Sequence, residues 1–378
     1  MQTRRSGALA LVGAMALTAA PMLFAEQTSS GQAESGQAAG SQTTAVQQAT
    51  PPETPLPKVF LFATGGTISN RVGGRMTVDE LIVSIPGLDR RVRAEGEQFA
   101  NVASSSMSLD QWLELSRRIN ARFKADPELA GVVVTSGTDT LEELAYFLHL
   151  TVRDERPVVV VGSMRNPSTL GYEGAANLED AFRAAADPMS RGMGAVVMLN
   201  DEINSAREVT KTDALSLDTF QSGRYGVLGV VDGSGVAYYR RPVRRHTAQS
   251  EFDVTRITAL PRVDVVMTYQ GATGDVVKAV VDAGAKGVIM ATAGAGATSG
   301  TQGEGIRYAY EKGVFVVTTT RTGAGRIAVP RGGGRGRGGA GFGIRGDDLT
   351  AIKARILLML ALATTSDQAE IQRMFGEY

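Results

Sequence analysis

Short apolar segments alternate with helical patterns along most of this chain, and this alternation is the feature that most constrains its fold. Runs rich in β-branched residues predict buried strands at Val59–Ala63, Val132–Thr135, Val158–Val161 and Ala195–Leu199. Apolar residues at helical spacing predict helices at Leu109–Lys124, Leu141–Thr151 and Gly174–Ala186. Because parallel strands need crossover connections, this order predicts an open, mostly parallel α/β sheet with helices on both faces.

A second alternation begins near residue 261 and predicts a smaller C-terminal α/β domain. Its expected strands are Val263–Tyr269, Val288–Ala291 and Val314–Thr319. Its expected helices are Asp275–Ala283, Thr301–Lys312, Asp348–Ala363 and Asp367–Phe375. Between the two alternations, Gly226–Arg240 predicts an antiparallel hairpin, because an Asp-Gly-Ser-Gly turn separates β-rich flanks.

The first 57 residues predict a targeting segment and a tether rather than part of the fold. Arg4 and Arg5 precede the apolar stretch Ala8–Phe24, which predicts a signal peptide over residues 1–25 and a periplasmic or secreted protein. The stretch is shorter than the roughly 20 residues of a membrane span, and an uncleaved anchor remains the alternative. Residues 26–57 predict a disordered linker, followed by an N-terminal α/β domain (58–241), an interdomain linker (242–260) and the C-terminal α/β domain (261–378).

The composition narrows the chemistry that such a fold could carry out. The 378 residues include no Cys and only two His, and their formal net charge is zero. The chain therefore has no disulfide or Cys nucleophile, and it has almost no material for a His-based triad or a two-His metal site. Zero net charge gives no reason to expect nucleic acid as a partner, and a surface loop explains the Arg- and Gly-rich stretch 331–343 better than a nucleic-acid segment does. Catalysis, if present, must use hydroxyls, carboxylates and amines.

Hydroxyls and glycines follow the predicted strands of the first domain at the points where the strands end. They occur at Thr64–Thr67, at Thr135–Thr140 and at Gly162–Ser163. In open parallel sheets, ligands bind outside the carboxyl ends of the strands. The topology therefore predicts a crevice formed by these segments and by the segment that carries Lys211.

The residues of this crevice also have simpler explanations when each is taken singly. Asp139 could be the N-cap of the following helix, and Lys211 could be a solvated surface lysine. The sole role of the two glycines before Thr67 could be to form a tight turn. Jointly, however, Thr67, Thr138, Asp139 and Lys211 supply what amide hydrolysis requires, namely an attacking hydroxyl, groups that transfer protons and backbone amides for the oxyanion.

Two segments resemble the signature motifs of the bacterial L-asparaginase/glutaminase family. They are Ala63–Ser69 (Ala-Thr-Gly-Gly-Thr-Ile-Ser) and Gly131–Leu141 (Gly-Val-Val-Val-Thr-Ser-Gly-Thr-Asp-Thr-Leu). Three more segments of this chain resemble family segments that occur in the same order: Gly162–Arg165, Arg207–Thr212 and Lys353–Arg355. The resemblance extends from about Lys58 to Tyr378, and the predicted signal peptide favours the secreted, type II branch.

The resemblance implies that Thr67, Thr138, Asp139 and Lys211 are catalytic residues, and it makes residues 58–241 the catalytic domain. Thr67 would be the nucleophile, which attacks the side-chain amide and forms an acyl-enzyme as ammonia leaves. Lys211 would activate Thr138 or a water molecule. The backbone amide of Thr138 would help to hold the oxyanion.

The resemblance also implies how the substrate is bound and how the protein assembles. Asp139 would bind the α-ammonium of the substrate, together with Thr138, and Ser104 would bind its α-carboxylate with Ser105 beside it. The expected partner is a small-molecule amide, without a metal or organic cofactor and without nucleic acid or membrane after signal cleavage. The expected assembly is a homotetramer, a dimer of dimers.

This sequence departs from the family pattern around the expected site. The family's secreted members usually carry a tyrosine on a lid after the first motif, but Ser69–Thr77 has none and places Arg71 near that position. Ser105 replaces a glutamine, Ser136 replaces a histidine that many members have, and Gly294–Ala297 lacks an expected amide. The resemblance still makes L-asparagine the first expected substrate, and the departures leave other possibilities open. Glutamine, D-asparagine, a peptide or tRNA-linked amide, and a degenerate member that binds without turnover remain alternatives.

Overall fold

The computed structural model describes residues 55–327 and 343–378. The predicted signal peptide, most of the predicted tether and most of the stretch 331–343 lie outside the described residues. In the part of the chain that is described, no helix has the length and apolar character needed to cross a membrane.

The chain folds as α/β in both halves. In order, the strands are β1 (Lys58–Gly65), β2 (Asn70–Arg71), β3 (Gly74–Arg75), β4 (Arg93–Val102), β5 (Leu129–Thr135), β6 (Val158–Val161), β7 (Ala195–Leu199), β8 (Glu202–Ser205), β9 (Thr210–Lys211), β10 (Phe220–Gln221), β11 (Gly229–Asp232), β12 (Gly235–Tyr238), β13 (Val263–Met267), β14 (Gly287–Thr292), β15 (Phe315–Thr320) and β16 (Ile344–Arg345). The α-helices are α1 (Val78–Val83), α2 (Leu109–Ala125), α3 (Leu141–Thr151), α4 (Gly174–Ala186), α5 (Asp275–Asp282), α6 (Gln302–Glu311), α7 (Ala351–Leu362) and α8 (Gln368–Glu377).

The larger sheet has the strand order β12-β11-β8-β7-β6-β5-β1-β4. From β7 to β4 all neighbours pair in parallel, whereas β7, β8, β11 and β12 pair antiparallel. The smaller sheet, β13-β14-β15-β16, is parallel throughout. The predicted fold class, a larger mostly parallel sheet domain followed by a smaller α/β domain, is therefore confirmed. The carboxyl ends of β1, β5 and β6 lie side by side at one end of the sheet.

Apolar packing on both faces of the larger sheet explains why its inner strands are recognisable in the sequence. On one face, α2, α3 and α7 pack in one apolar cluster with residues from both halves of the chain. On the other face, α1 and α4 pack in a second cluster. Phe252 and Ile257, within the predicted linker 242–260, are buried in the first cluster. Inner strands buried on both faces read as continuous apolar runs.

The sequence patterns missed elements that are short or carry charge. β4 is an edge strand with an alternating, charged sequence, and no strand is predicted for it. Helix α1 has only six residues, although a capping box between Thr77 and Glu80 fixes its start. Helix α7 begins at Ala351 rather than at the predicted Asp348, whose carboxylate instead pairs with Arg207. β13 ends at Met267, two residues before the predicted end.

Candidate active site

A pair of glycines brings the turn after β1 against the loop that follows β5. Gly65 and Gly66 have positive φ angles of 103° and 87°, which glycine adopts without strain. A side chain on Gly66 would overlap the backbone of Gly137, so the two loops touch where only glycine fits. A short 3-10 helix, Thr67–Ser69, starts directly after this contact. The structure thus places Thr67 at the junction of two strand-end loops.

Thr138, Asp139 and Lys211 form one hydrogen-bonded cluster at the same edge of the sheet. Lys211 Nζ donates to Thr138 Oγ1 at 3.0 Å and pairs with Asp139 Oδ1 at 3.0 Å. The Lys211 side chain is 16% exposed, whereas the Asp139 side chain is 75% exposed. The amine is therefore held between a buried hydroxyl and a carboxylate that faces solvent.

This cluster decides between the functional and the simpler explanations of two residues. Asp139 is not the N-cap of α3, because Thr140 holds that position and its side chain makes no capping hydrogen bond. Lys211 is not a solvated surface lysine, because its amine contacts both Thr138 and Asp139. The simpler explanations of Asp139 and Lys211 are therefore wrong.

The backbone of Lys211 is fixed by a buried acid that the sequence patterns did not single out. Lys211 lies in β9, which pairs antiparallel with β10. Glu142 Oε1 accepts hydrogen bonds from Thr210 Oγ1 (3.0 Å) and from Lys211 N (3.1 Å). The signal that could have revealed Glu142 is an acidic residue within an otherwise buried, apolar helix, because a buried carboxylate needs partners.

A second lysine lies behind this acid. Lys353, in α7, is fully buried and donates to the backbone carbonyls of Arg207 (3.0 Å) and Val209. Its Nζ lies 3.8 Å from Glu142 Oε2. Burial lowers the pKa of Lys353 to about 8, although the nearby Glu142 carboxylate opposes that shift. Lys353 therefore ties the segment before Lys211 to the C-terminal half of the chain.

Of the two serines expected to bind the substrate carboxylate, the structure brings one to the site. Ser104 is buried, its Oγ accepts from Thr140 N at 3.4 Å, and a Cβ on Gly137 would lie 2.9 Å from that oxygen. Ser105 is exposed to solvent. Ser104 therefore lies against the loop that carries Thr138, and Ser105 lies at the surface beside it.

Among the described residues, the hydroxyl of Thr67 has no hydrogen-bond partner. The residue is half-buried, and Oγ1 makes no hydrogen bond to any residue within 55–327 or 343–378. Arg71, expected near the position of the lid tyrosine, is exposed and pairs with Glu80 at 2.6 Å. A tyrosine does approach this turn from elsewhere in the fold, because Tyr172 donates to Ile68 O at 2.9 Å. No local sequence pattern marks this contact, which spans 104 residues.

Both histidines of the chain lie together near the amino end of β7, at the end of the sheet opposite to the candidate site. The rings of His149 and His246 are 4.8 Å apart, and His149 Nδ1 contacts the backbone of Ala195 at the start of β7. Burial lowers the pKa of both, and repulsion from His246 lowers the pKa of His149 further. Neither histidine is placed to take part in chemistry at the carboxyl ends of the strands.

Two family models match most of the described chain. The asparaginase N-terminal family model matches residues 58–244, and the model of the glutaminase/asparaginase C-terminal domain matches residues 262–375. The chain belongs to the asparaginase family. It is 37% identical over 372 residues to L-asparaginase 2 of Bacillus subtilis, an alignment that covers 96% of this chain and 97% of that protein. It is 38% identical over 333 residues to L-asparaginase 2 of Escherichia coli, covering 85% and 94%.

A solved structure of another asparaginase-family protein has the same fold. It is described as a probable cytoplasmic L-asparaginase from Campylobacter jejuni, with a TM-score of 0.78 and 36% sequence identity. The match covers 85% of this chain and 99% of that one. The predicted family is therefore confirmed. Membership of its secreted branch stays a prediction, because the signal segment lies outside the described residues.

Proposed function

We propose that this asparaginase-family chain is an amidohydrolase that converts L-asparagine and water to L-aspartate and ammonia. The observation that carries the proposal is the Lys211–Thr138–Asp139 cluster, in which both contacts of the amine measure 3.0 Å. The adjoining turn carries Thr67, whose hydroxyl has no partner among the described residues. The family membership and the names of its relatives support the reaction class and the substrate.

In the proposed first half-reaction, Thr67 Oγ1 attacks the side-chain amide carbon and forms a tetrahedral intermediate. The Thr138 backbone amide helps to hold the oxyanion. The carbon–nitrogen bond then breaks, the nitrogen takes up a proton and leaves as ammonia, and an ester on Thr67 remains. We assign the acceptance and return of that proton to Lys211, acting through Thr138, which it contacts at 3.0 Å, or through a water molecule.

In the second half-reaction, water attacks the ester on Thr67, which releases L-aspartate and restores the hydroxyl. Lys211 and Thr138 activate the water. Because Thr138 and Lys211 are joined before the substrate arrives, the proton-transfer group needs little reorganisation during either step.

Charge and exposure support the proposed orientation of the substrate. The Asp139 carboxylate is largely exposed and can therefore meet an α-ammonium arriving from solvent. Ser104 lies against Gly137 and offers a hydroxyl for the α-carboxylate, with Ser105 at the surface beside it. The ion pair between Lys211 and Asp139 is then shared with the substrate ammonium.

Glutamine is the second candidate substrate, because the matched C-terminal model is that of a glutaminase/asparaginase domain. A steady-state comparison of L-asparagine, L-glutamine, D-asparagine and α-amino-blocked asparagine separates these possibilities. We expect the highest kcat/KM for L-asparagine. Retained activity on the blocked substrate would instead favour a peptide or tRNA-linked amide.

A homotetrameric assembly and a periplasmic location are further parts of the proposal, carried by the family resemblance and by residues 1–25. Light scattering of the purified protein measures the assembly, and cell fractionation with N-terminal sequencing measures export and cleavage. A monomer, or an uncleaved chain in the cytoplasm, would contradict the corresponding part without affecting the proposed chemistry.

Ammonia release from the purified protein tests the reaction itself. We expect the wild type to release ammonia from L-asparagine and both Thr67→Ala and Lys211→Ala to be nearly inactive. Equal activity in all three proteins would contradict the mechanism. Binding of asparagine by the wild type, without ammonia and without an acyl-enzyme, would show a degenerate, non-catalytic member.

A further inference from the structure

The loop between β6 and α4 holds the hairpin that follows Thr67 at two points. We call residues 164–173 the clasp loop and residues 68–76 the lid. Tyr172 Oη, on the clasp loop, donates to the carbonyl of Ile68 on the lid at 2.9 Å. Ser168 Oγ accepts from Val72 N, at the tip of the lid, at 2.9 Å. Both contacts join segments about 100 residues apart in the chain.

The clasp loop has internal contacts that fix its shape. The Glu173 carboxylate accepts hydrogen bonds from the backbone amides of Met164 and Arg165 at the start of the loop. Arg165 Nη1 donates to the carbonyl of Gly171 at 3.1 Å, near the end of the loop. These bonds join the two ends of the clasp loop and therefore fix its backbone conformation.

The ring of Tyr172 is also fixed in place. It packs against the apolar cluster on the α4 face of the sheet, and a side chain on Gly174 would overlap it. Burial raises the pKa of Tyr172 well above its ordinary value, with the Glu173 carboxylate adding to the shift. The hydroxyl therefore keeps its proton and acts as a hydrogen-bond donor to the lid.

The turn that carries Thr67 is also held to β4, because Gly66 N donates to the carbonyl of Val102 at 3.0 Å. Ser69 N and Ser69 Oγ both contact the carbonyl of Gly66, at 3.2 and 3.1 Å. These two bonds close the turn from inside, and the Tyr172 hydroxyl contacts it from the neighbouring loop. An attacking hydroxyl must be held at about 3 to 3.5 Å from the carbon that it attacks, so freedom in this turn costs rate.

We infer that Tyr172 is a positioning residue for Thr67 and that the clasp loop holds the lid in the conformation that aims the Thr67 hydroxyl. The inference rests on the proposed role of Thr67. The hydroxyl of Tyr172 donates to the carbonyl of Ile68 rather than to the hydroxyl of Thr67. It acts through the backbone of Ile68, the residue next to the nucleophile.

The test compares Tyr172→Phe with Tyr238→Phe in the full-length protein. Tyr238 is a matched control, because its hydroxyl also makes one partly buried hydrogen bond, to Ser190 at 2.7 Å, in the same domain. We expect Tyr172→Phe to lower kcat about tenfold, as the loss of one hydrogen bond allows. KM should stay unchanged, and the melting temperatures of the two variants should be alike.

Hydrogen exchange supplies a readout that does not depend on turnover. In Tyr172→Phe the amide of Ser69 should exchange faster than in the wild type, and in Ser168→Ala the amide of Val72 should do so. Tyr238→Phe should change neither amide. Unchanged exchange at Ser69 in Tyr172→Phe would overturn the inference.

The kinetic outcomes separate this inference from the proposed function. If Tyr172→Phe loses no more kcat than Tyr238→Phe while Thr67→Ala is inactive, the positioning role is wrong and the proposed function stands. If Thr67→Ala keeps wild-type activity, the proposed mechanism is wrong, and a role of Tyr172 in aiming the nucleophile is wrong with it.

Discussion

The two strand-end loops of this site are built in opposite ways. After β5, the side chains of Thr138 and Asp139 are already bound to Lys211, and Glu142 fixes the Lys211 backbone from behind. After β1, the turn is shaped by glycines and backbone contacts, and in the described residues the hydroxyl of Thr67 has no partner. In the proposed mechanism, the first loop transfers protons and the second supplies the attacking hydroxyl. This difference favours Thr67 over Thr138 as the nucleophile.

The largest expected effects come from removing each hydroxyl in turn. We expect Thr67→Val and Thr138→Val each to lower kcat by roughly a thousandfold or more. Their stabilities should differ, because only Thr138 loses a hydrogen bond within the protein, worth about 1 kcal/mol. Urea unfolding measures this difference. Equal destabilisation by the two substitutions would contradict the asymmetry between the loops.

The contact between the loops can be broken at one glycine. Gly66→Ala should lower kcat by about a hundredfold, because the new Cβ overlaps Gly137 and displaces the turn that carries Thr67. Gly284→Ala is the matched control, since Gly284 also has a positive φ (93°) but open space around it and lies in the C-terminal half of the chain. Similar losses of kcat in both variants would mean that backbone strain, rather than the contact, sets the effect.

Removing the Glu142 carboxylate, which holds the Lys211 backbone, should cause a smaller loss of kcat. Glu142→Gln should lower kcat about tenfold, because the charged acceptor of the Lys211 amide and the Thr210 hydroxyl is lost. Glu143→Gln is the control, since this neighbouring acid contacts Arg355 only at 3.9 Å. Circular dichroism should show both variants folded. If both keep wild-type kcat, Glu142 does not set the position of Lys211.

The contrast between the loops also shows how far the sequence could lead. The motif segments predicted that Thr67, Thr138, Asp139 and Lys211 would converge, because the carboxyl ends of neighbouring parallel strands share an edge. The inner strands were equally accessible to prediction, because burial on both faces makes their sequences uniformly apolar.

The sequence could not show the residues that support the site from a distance. Glu142 lies within an apolar helix pattern, and nothing local marks its contact with Lys211. Tyr172 acts through a hydroxyl contact that depends on how the clasp loop folds back over the lid. β4 was missed because edge strands carry charges that hide the strand pattern. Such features depend on tertiary contacts, which periodicity does not encode.

The smallest expected effect is a pH dependence of the free energy of unfolding that comes from His149, near the amino end of β7. His149 is kept neutral by burial, by repulsion from His246 and by the positive charges of Arg207 and Lys353. An unfolded histidine titrates near pH ~6.5. Below that pH the unfolded chain binds more protons than the folded chain, so the free energy of unfolding should fall as the pH is lowered.

A His149→Gln variant tests this pH dependence through its slope. Its free energy of unfolding should fall less steeply than that of the wild type as the pH drops below ~6.5. The absolute stability of the variant is not the readout, because the substitution also alters packing. Equal slopes would show that His149 is already protonated in the folded protein.

The most direct test of the account is to locate the acyl group during turnover. Wild-type protein is mixed with L-asparagine, quenched in acid within one turnover, digested and analysed by mass spectrometry. We predict an aspartyl ester on the peptide that contains Thr67 and none on the peptide that contains Thr138. An ester on the Thr138 peptide would contradict the assignment of the nucleophile.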